Sequence, residues 1–418
     1  MEIFKHLRPP EKNPWIDPVY RREFSRIALV CRFFCSVMLP WIFESMEFAT
    51  SVSRDLKLAP FCRSIISGCG SARIMATYVK RCSFSDWIQD QNDSTPCWYN
   101  LEFQTLYSRA LAFMPNVEEL KLTKITINRK LLKRIVELKC LTSLSLNFCD
   151  FGEIKAKDIC KLSTLQLKHL RFTGSSLAWI TLIENTLLVS QFLCLDSLLT
   201  VHTNYWPFVA RIAEQNSHLP LQELEILEIL EAENLDMLPK VFQKTPALKK
   251  LRITSTPAPN HDVQFDDVLP ALRELYCPLF LLRSLVPGRP ISSIEITTSS
   301  WAVISDIQSF FKINSALNIR SLCVPIYVYL RIPFWERFPG LKSLRLESNN
   351  YLDPFNEQVL NLVFSKVIFT SSRILIHMYR YFQISVTPGL TTRQYKNYAW
   401  SLTSPYSISK LNAKYFQQ

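Results

Sequence analysis

The chain has 418 residues, 48% hydrophobic and 12% aromatic, with a formal net charge of +12. That length exceeds one ordinary compact core and that apolar content excludes wholesale disorder, leaving several domains or one elongated repeat array. Only 7 glycines stand against 24 prolines, and the one tight pair, Gly68 and Gly70, has no GxGxxG or GK[ST] context, which excludes the common nucleotide-binding enzyme classes.

Residues 1–50 read as a small all-α module. MEIFKHLRPPEK is charged from its second residue, so no secretory leader is expected. A helix over Glu2–Leu7, a proline-rich loop from Arg8 to Pro18, and an apolar helical stretch, FSRIALVCRFFCSVMLPWIFESMEF (Phe24 to Phe48), come in that order. This segment resembles the F-box family. Glu2-Ile3-Phe4 and Leu7 match the family's first helix. Ile27, Leu29, Val30, Cys31, Arg32 and Phe34 match a helix reading L-x-x-x-x-L-V-C-R-x-F, and Pro40-Trp41-Ile42-Phe43 stands at the motif's end. The resemblance implies docking on the Skp adaptor of a cullin–RING ubiquitin ligase, with Ile3, Phe4, Leu7, Leu29, Val30 and Phe34 as the adaptor-binding residues. Read without the resemblance, the same segment is a helical cap sealing the first unit of a repeat array.

Residues 51–110 are expected to be a helical linker or cap. Within them Phe61 to Trp87 resembles the linker of large fungal F-box families, where YVKRCSFSDW leads into repeats.

From residue 111 to 360 the pattern LxxLxL recurs: VEELKL (Val117–Leu122), LTSLSL (Leu141–Leu146), LKHLRF (Leu167–Phe172), LQELEI (Leu221–Ile226), LKKLRI (Leu248–Ile253), LRELYC (Leu272–Cys277), ISSIEI (Ile291–Ile296), IRSLCV (Ile319–Val324) and LKSLRL (Leu341–Leu346). A weaker copy, LDSLLT from Leu195, fills the large gap, and successive starts lie 19–28 residues apart, the range of leucine-rich repeats. The final L-x-L is a short strand with both apolar side chains turned into one core, because strand side chains alternate. Pro115, Pro246, Pro270 and Pro339 stand two residues ahead of four of these starts, ending the preceding helix and favouring an extended residue before them. NRKLLKRIVELK (Asn128–Lys139) and ENLDMLPKVFQK (Glu233–Lys244) read as helices of the opposite layer. The asparagine of the commonest repeat consensus is mostly missing after the strand, which resembles the F-box leucine-rich-repeat proteins.

The expected fold is therefore an α/β leucine-rich-repeat solenoid, with short parallel strands on the concave face, helices on the convex face, and an N-terminal F-box-like module. Residues between the repeat leucines face a protein target: Glu119, Lys121, Ser143, Ser145, Glu223, Glu225, Lys250, Arg252, Lys342 and Arg345.

Residues 361–418 differ in kind. After Glu357 there is no acidic residue, whereas Lys366, Arg373, Arg380, Arg393, Lys396, Lys410 and Lys414 are basic, set among aromatics. A cap or edge strand followed by poorly ordered chain is the expectation, with nucleic-acid or membrane-surface binding as an alternative.

No catalytic constellation emerges. The six histidines (His6, His169, His202, His218, His261, His377) are scattered, and the serines near Gly68 form no GxSxG elbow. The twelve cysteines are spread singly without CxxC, several in apolar runs (Cys31, Cys140, Cys194), so buried, reduced thiols in a cytoplasmic or nuclear protein are expected. No uncharged apolar stretch of about 18 residues predicts a membrane span, and no metal or cofactor is expected. The function this implies is a non-enzymatic substrate-recognition adaptor of an SCF-type ligase, bound to a Skp-type adaptor and through it to a cullin scaffold. A repeat scaffold without ligase function is the alternative.

Overall fold

A computed structural model describes residues 18–49, 55–85, 98–151, 154–174, 193–227, 229, 232–254, 265, 268–297, 319–325, 338, 340–347, 374–379 and 383–388. Ile3, Phe4 and Leu7 lie outside the described residues, as does most of the basic tail. The chain divides into two units, Met1–Leu224 and Glu225–Gln418.

The first unit opens with α1 (Pro18–Ala28) and α2 (Arg32–Phe43). LVCRFF does not form the single helix that the resemblance implies. Leu29 and Val30 form a turn and Cys31 is the extended residue preceding α2. The break lets the two helices fold back on each other, with Phe24 edge-on to Trp41 at 5.4 Å. Phe24 and Met38 are buried between them. Arg21 fastens α1 to the end of α2, donating from Nε and Nη2 to Ile42 O at 3.2 and 3.0 Å, and from Nη2 to Ser45 O. A cation on the last carbonyls of α2 satisfies groups that the helix itself leaves unpaired.

The parallel ladder starts well before residue 111. β1 (Ser45–Ala49) pairs with β2 (Arg81–Ser85), and β2 with β3 (Glu119–Thr123). Two repeat strands therefore lie inside the segments expected to be purely helical. They escape the leucine pattern because their inward residues are Met46 and Phe48 in one and Cys82 and Phe84 in the other, all buried. Phe48 stacks on Phe84 at 4.9 Å and also meets Tyr107 at 4.9 Å. Around these strands pack α3 (Asp55–Ser67), α4 (Ala72–Thr77) and α5 (Trp98–Leu111). Cys69 sits exposed between α3 and α4, flanked by Gly68 and Gly70 in left-handed backbone (φ 74° and 57°).

The ladder continues through β5 (Ser143–Asn147), β7 (His169–Thr173) and β8 (Thr200–Thr203), all parallel, and the unit boundary falls within β9 (Glu223–Ile226). One hydrogen-bond motif recurs at each step: the carbonyl just ahead of a strand accepts two successive N–H groups of the next repeat. Glu44 O takes Lys80 N and Arg81 N, Lys80 O takes Glu118 N and Glu119 N, and the series runs through Glu118, Thr142, Lys168 and Leu199. Inside lie the repeat leucines, each contributing about 1.5–3 kcal/mol on burial. The weak copy from Leu195 is shifted by three residues: Leu198 takes the first apolar position, and Val201 and Thr203 the strand positions, aligned with Leu170 and Phe172. Thr203 is fully buried, its hydroxyl accepting from Tyr205 N at 2.9 Å.

Behind the ladder stands α6 (Arg129–Glu137). Asn128 caps it by accepting from Leu131 N at 2.9 Å, and Leu131, Leu132 and Ile135 form its buried stripe. A capping side chain of this kind stabilises a helix by about 1 kcal/mol. α7 (Ala156–Ile159) and α8 (Trp206–Ala213) take the same place in later repeats. A two-residue parallel pair, β4 (Thr126–Ile127) with β6 (Asp150–Phe151), bridges the layers.

In the second unit β10 (Lys250–Ile253), β11 (Glu274–Pro278), β12 (Ser293–Thr297), β13 (Ser321–Pro325) and β14 (Ser343–Glu347) pair in parallel order. The two-for-one carbonyl motif repeats at Lys249, Arg273, Ser292 and Arg320. α9 (Leu238–Lys244) and α10 (Leu279–Leu285) back these strands through Val241, Phe242, Leu281 and Leu282. Arg289 caps α10, donating from Nη1 to Leu285 O at 2.9 Å while its Nε reaches Val268 O at 2.7 Å. The extended residue expected before proline fails at Leu269, whose backbone is left-handed (φ 57°). A turn closed by Leu272 N on Leu269 O imposes that conformation while the Leu269 side chain is buried. In the tail, β15 (Ile374–Tyr379) and β16 (Gln383–Pro388) form a separate antiparallel hairpin with β16 beside β14.

Candidate target-binding face

Alternation along each strand turns two side chains per repeat away from the core, and parallel register aligns them in columns. In the first unit one column reads Ser45, Arg81, Glu119, Ser143, His169, Thr200, and the next Glu47, Ser83, Lys121, Ser145, Arg171, His202. In the second they read Lys250, Glu274, Ser293, Ser321, Ser343 and Arg252, Tyr276, Glu295, Cys323, Arg345.

The structure thus places Glu119, Lys121, Ser143 and Ser145 side by side, as expected, and puts Lys250, Arg252 and Arg345 on the outward columns. Glu223 is half-exposed at the start of β9. Two expected residues move. Lys342 lies just ahead of its strand, and the outward position is Ser343, because the strand begins one residue later. Glu225 is only 8% exposed, and its carboxylate lies 3.3 Å from Arg252 Nε. Its charge is met inside the protein rather than offered to a partner.

Pairing gives the two units different electrostatics. In the second, Arg252 lies over the Tyr276 ring at 4.1 Å and against Glu225, while Arg345 bonds Glu295 and reaches Cys323 Sγ at 3.2 Å. Burial alone would lower the Arg252 pKa, but the Tyr276 hydrogen bond and the Glu225 and Glu295 charges outweigh it and raise it. In the first unit, burial raises the Glu119 carboxyl above its ordinary value against the opposing pull of Arg81 and Lys121. His169 and His202, far apart in the sequence, come onto neighbouring strands. His169 Nδ1 is 2.8 Å from Thr200 Oγ1, and burial, then Lys168, holds its pKa below the usual value.

Beyond the columns, Asn147 ties neighbouring strand ends together. Its Nδ2 donates to Ser145 Oγ at 3.0 Å and Thr123 Oγ1 at 3.4 Å, and its Oδ1 accepts from Thr173 Oγ1 at 2.9 Å. One residue on, Lys124 and Phe148 hold left-handed backbone (φ 50° and 53°), their N–H groups bonded to Asn147 O and Thr173 O. Phe148 is nonetheless 47% exposed. Sequence reasoning missed Arg81, His169, Arg171, His202, Tyr276 and Glu295. In LKHLRF, ISSIEI and LRELYC the alternation could have supplied four of them; VKRCSF and the shifted LLTVHT carry no leucine signal at the strand.

On the helical module, the adaptor-binding candidates Leu29 and Val30 are 87% and 69% exposed, neighbouring Phe33 is 64% exposed, and Phe34 is half-buried. The module is also bound to the first repeat through Arg81 Nη2 to Glu44 Oε1 at 2.7 Å. Eleven described cysteines are free. Cys62, Cys82, Cys277 and Cys323 are buried, but Cys31 and Cys140 are exposed and Cys194 half-buried, because each falls in a turn between elements rather than on an inward strand position. Among the described residues no cluster of His, Cys, Asp or Glu is arranged to hold a metal ion, and no helix is long and apolar enough to cross a membrane.

No family model and no curated protein matches this chain. Among solved structures it is similar to the leucine-rich repeat-containing protein LegL7 from Legionella pneumophila, at 13% identity over 76% of this chain and 96% of that one, with a TM-score of 0.38. It is also similar to TLR13 in its complex with ssRNA13, at 18% identity over 67% of this chain and 44% of that one, with a TM-score of 0.29.

Proposed function

We propose that this chain is a non-catalytic adaptor that holds a protein target on its outward strand columns and docks by α1–α2 onto the Skp adaptor of an SCF-type cullin–RING ubiquitin ligase. The observation that supports the docking is the exposed turn between α1 and α2. Leu29, Val30 and Phe33 face solvent while Phe24 and Met38 of the same helices are buried, and large apolar side chains grouped at one surface point mark an interaction site. The mechanism is proximity: holding a target near a charged conjugating enzyme raises its effective concentration without a catalytic residue in this chain. The test is direct binding of the full chain to purified Skp adaptor. Burying Leu29 and Val30 contributes about 1.5–3 kcal/mol each, so L29D with V30D weakens binding by at least about tenfold. A folded wild-type chain that does not bind sinks the ligase reading.

A second reading, a repeat scaffold whose helical module is only a cap, is favoured by the bonds that tie that module down. Arg21 to Ser45 O and Arg81 to Glu44 join it to the first repeat. In that case L29D/V30D changes no interaction of the chain.

A further inference from the structure

We infer that the outward face of β3, β5, β7 and β8 is the docking site for an acidic peptide segment, its anionic oxygens seated on Arg171 and its neighbours. The inference deepens the adaptor reading and rests on it.

Three features of the face point to such a ligand. The first is its composition. On β5, β7 and β8 the six outward side chains are Ser143, Ser145, His169, Arg171, Thr200 and His202, all potential hydrogen-bond donors with no carboxylate among them. Lys121 adjoins them on β3, and exposed Lys168 stands at the start of β7. The nearest outward carboxylates, Glu119 beside Arg81 and Lys121, and Glu223 beyond Thr200, mark the two ends of the strip.

The second is pairing. In the second unit the column arginines are already matched to carboxylates, Arg252 to Glu225 and Arg345 to Glu295. Arg171 holds the corresponding column position, is exposed, and makes no ion pair among the described residues. A guanidinium presents a planar fork suited to bidentate binding of a carboxylate or phosphoryl group.

The third is Phe148. Its left-handed backbone, pinned by the bond to Thr173 O, leaves an aromatic ring 47% exposed just past the end of β5. Uncommon backbone conformations at non-glycine residues concentrate where a side chain must be presented. Exposed aromatic and arginine side chains are the types enriched at interaction hot spots.

The spacing sets the ligand's register. Neighbouring strands lie about 4.8 Å apart, so Lys121 and Arg171, two strands apart, are separated by about 10 Å. Three residues of a peptide in polyproline II conformation, at about 3.1 Å each and three to a turn, cover that distance and bring the chain back to the same side. Acidic groups at positions i and i+3 therefore meet both cations.

The test is fluorescence anisotropy of the full chain with a short labelled peptide carrying glutamate at every third position. The same peptide with glutamine, and one with phosphoserine, serve as comparisons. The glutamate or the phosphoserine peptide binds, the tighter of the two identifying the anion, and the glutamine peptide binds at least about tenfold more weakly. R171E abolishes binding, F148A weakens it, and K130E, the same charge change on the exposed side of α6, leaves it unchanged. Arg171 is exposed, and an unchanged circular-dichroism melt confirms that R171E is folded. Equal binding of the glutamine peptide, or wild-type affinity in folded R171E, overturns the inference. A single-stranded oligonucleotide that binds more tightly than either acidic peptide through Arg171 overturns it in favour of a nucleic-acid face. A chain that captures the Skp adaptor but no acidic peptide defeats this inference and leaves the adaptor reading standing; peptide binding without adaptor capture does the reverse.

Discussion

Truncating Phe84 tests whether residues 81–85 form a working repeat strand rather than part of a helical linker. The ring is 1% exposed, stacks on Phe48 at 4.9 Å with an interplanar angle of 14°, and through Phe48 joins Tyr107. Phe84→Ala removes a fully buried ring and leaves a cavity beside Phe48, a change that costs about 3–5 kcal/mol, of which the ring pair accounts for about 0.5–1.5 kcal/mol. Parallel strands on both sides of β2 limit how far the site can collapse, which favours the upper half of that range. Hydrogen exchange read peptide by peptide is the suitable assay, since a chain of this length need not unfold in one step. A cost of about 3 kcal/mol or more raises the opening equilibrium at least about 100-fold. The faster exchange should cover β1, β2 and β3 together, because they share one ladder. Leu29→Ala, at an exposed turn, should stay within about 0.5 kcal/mol of wild type. A Phe84→Ala effect below about 1 kcal/mol, or one confined to β2, would refute the placement of these strands.

Asn147→Ala removes both donor contacts and leaves the buried Thr173 hydroxyl without its acceptor. The expected cost is about 1–3 kcal/mol, read as a lower denaturant midpoint, and a midpoint equal to wild type would show that the bonds across these strands do not matter. Asp158 gives a pH signature. Its pKa lies below the ordinary carboxylate value, chiefly through the hydrogen bond from Lys161 (2.9 Å), and it also lies 2.9 Å from Arg129. A depressed folded pKa means that the stabilisation is present above the unfolded value of about 3.9 and is lost as pH falls through the lower folded value. Asp158→Asn should flatten that acid limb of the stability curve, and an unchanged limb would contradict the assignment.

The repeat strands from Glu119 onward were legible because leucine, at a fixed spacing, announces the inward positions. β1 and β2 were not, since Met46, Phe48, Cys82 and Phe84 do the same packing without repeating one residue type. The frame around Leu195 slipped because Leu195 and Leu198 are both buried three residues apart, and the true strand ends on a buried threonine, Thr203. For the outward face, alternation identifies which residues face solvent, but it does not say which charges are already matched. Glu225 and Arg252 look equivalent to Ser145 and Arg171 in sequence; only lateral register, which joins residues about a repeat apart, distinguishes a satisfied pair from an available cation. The exposed LVCRFF turn needed the helix break at Leu29 and Val30, which a continuous apolar run conceals.

Arg21 has a consequence beyond fastening α1. Among the described residues β1 is the outermost strand of its ladder. Such a strand presents carbonyls that another chain could use to add a strand of its own, a common route to aggregation. Because Glu44 O is already taken by the next repeat, the carbonyl of Ser45 faces the other way, and it is there that the Arg21 guanidinium bonds. A side chain thus occupies an acceptor that a foreign backbone would need. The helical module thereby blocks one of the acceptors through which β1 could pair with a foreign strand.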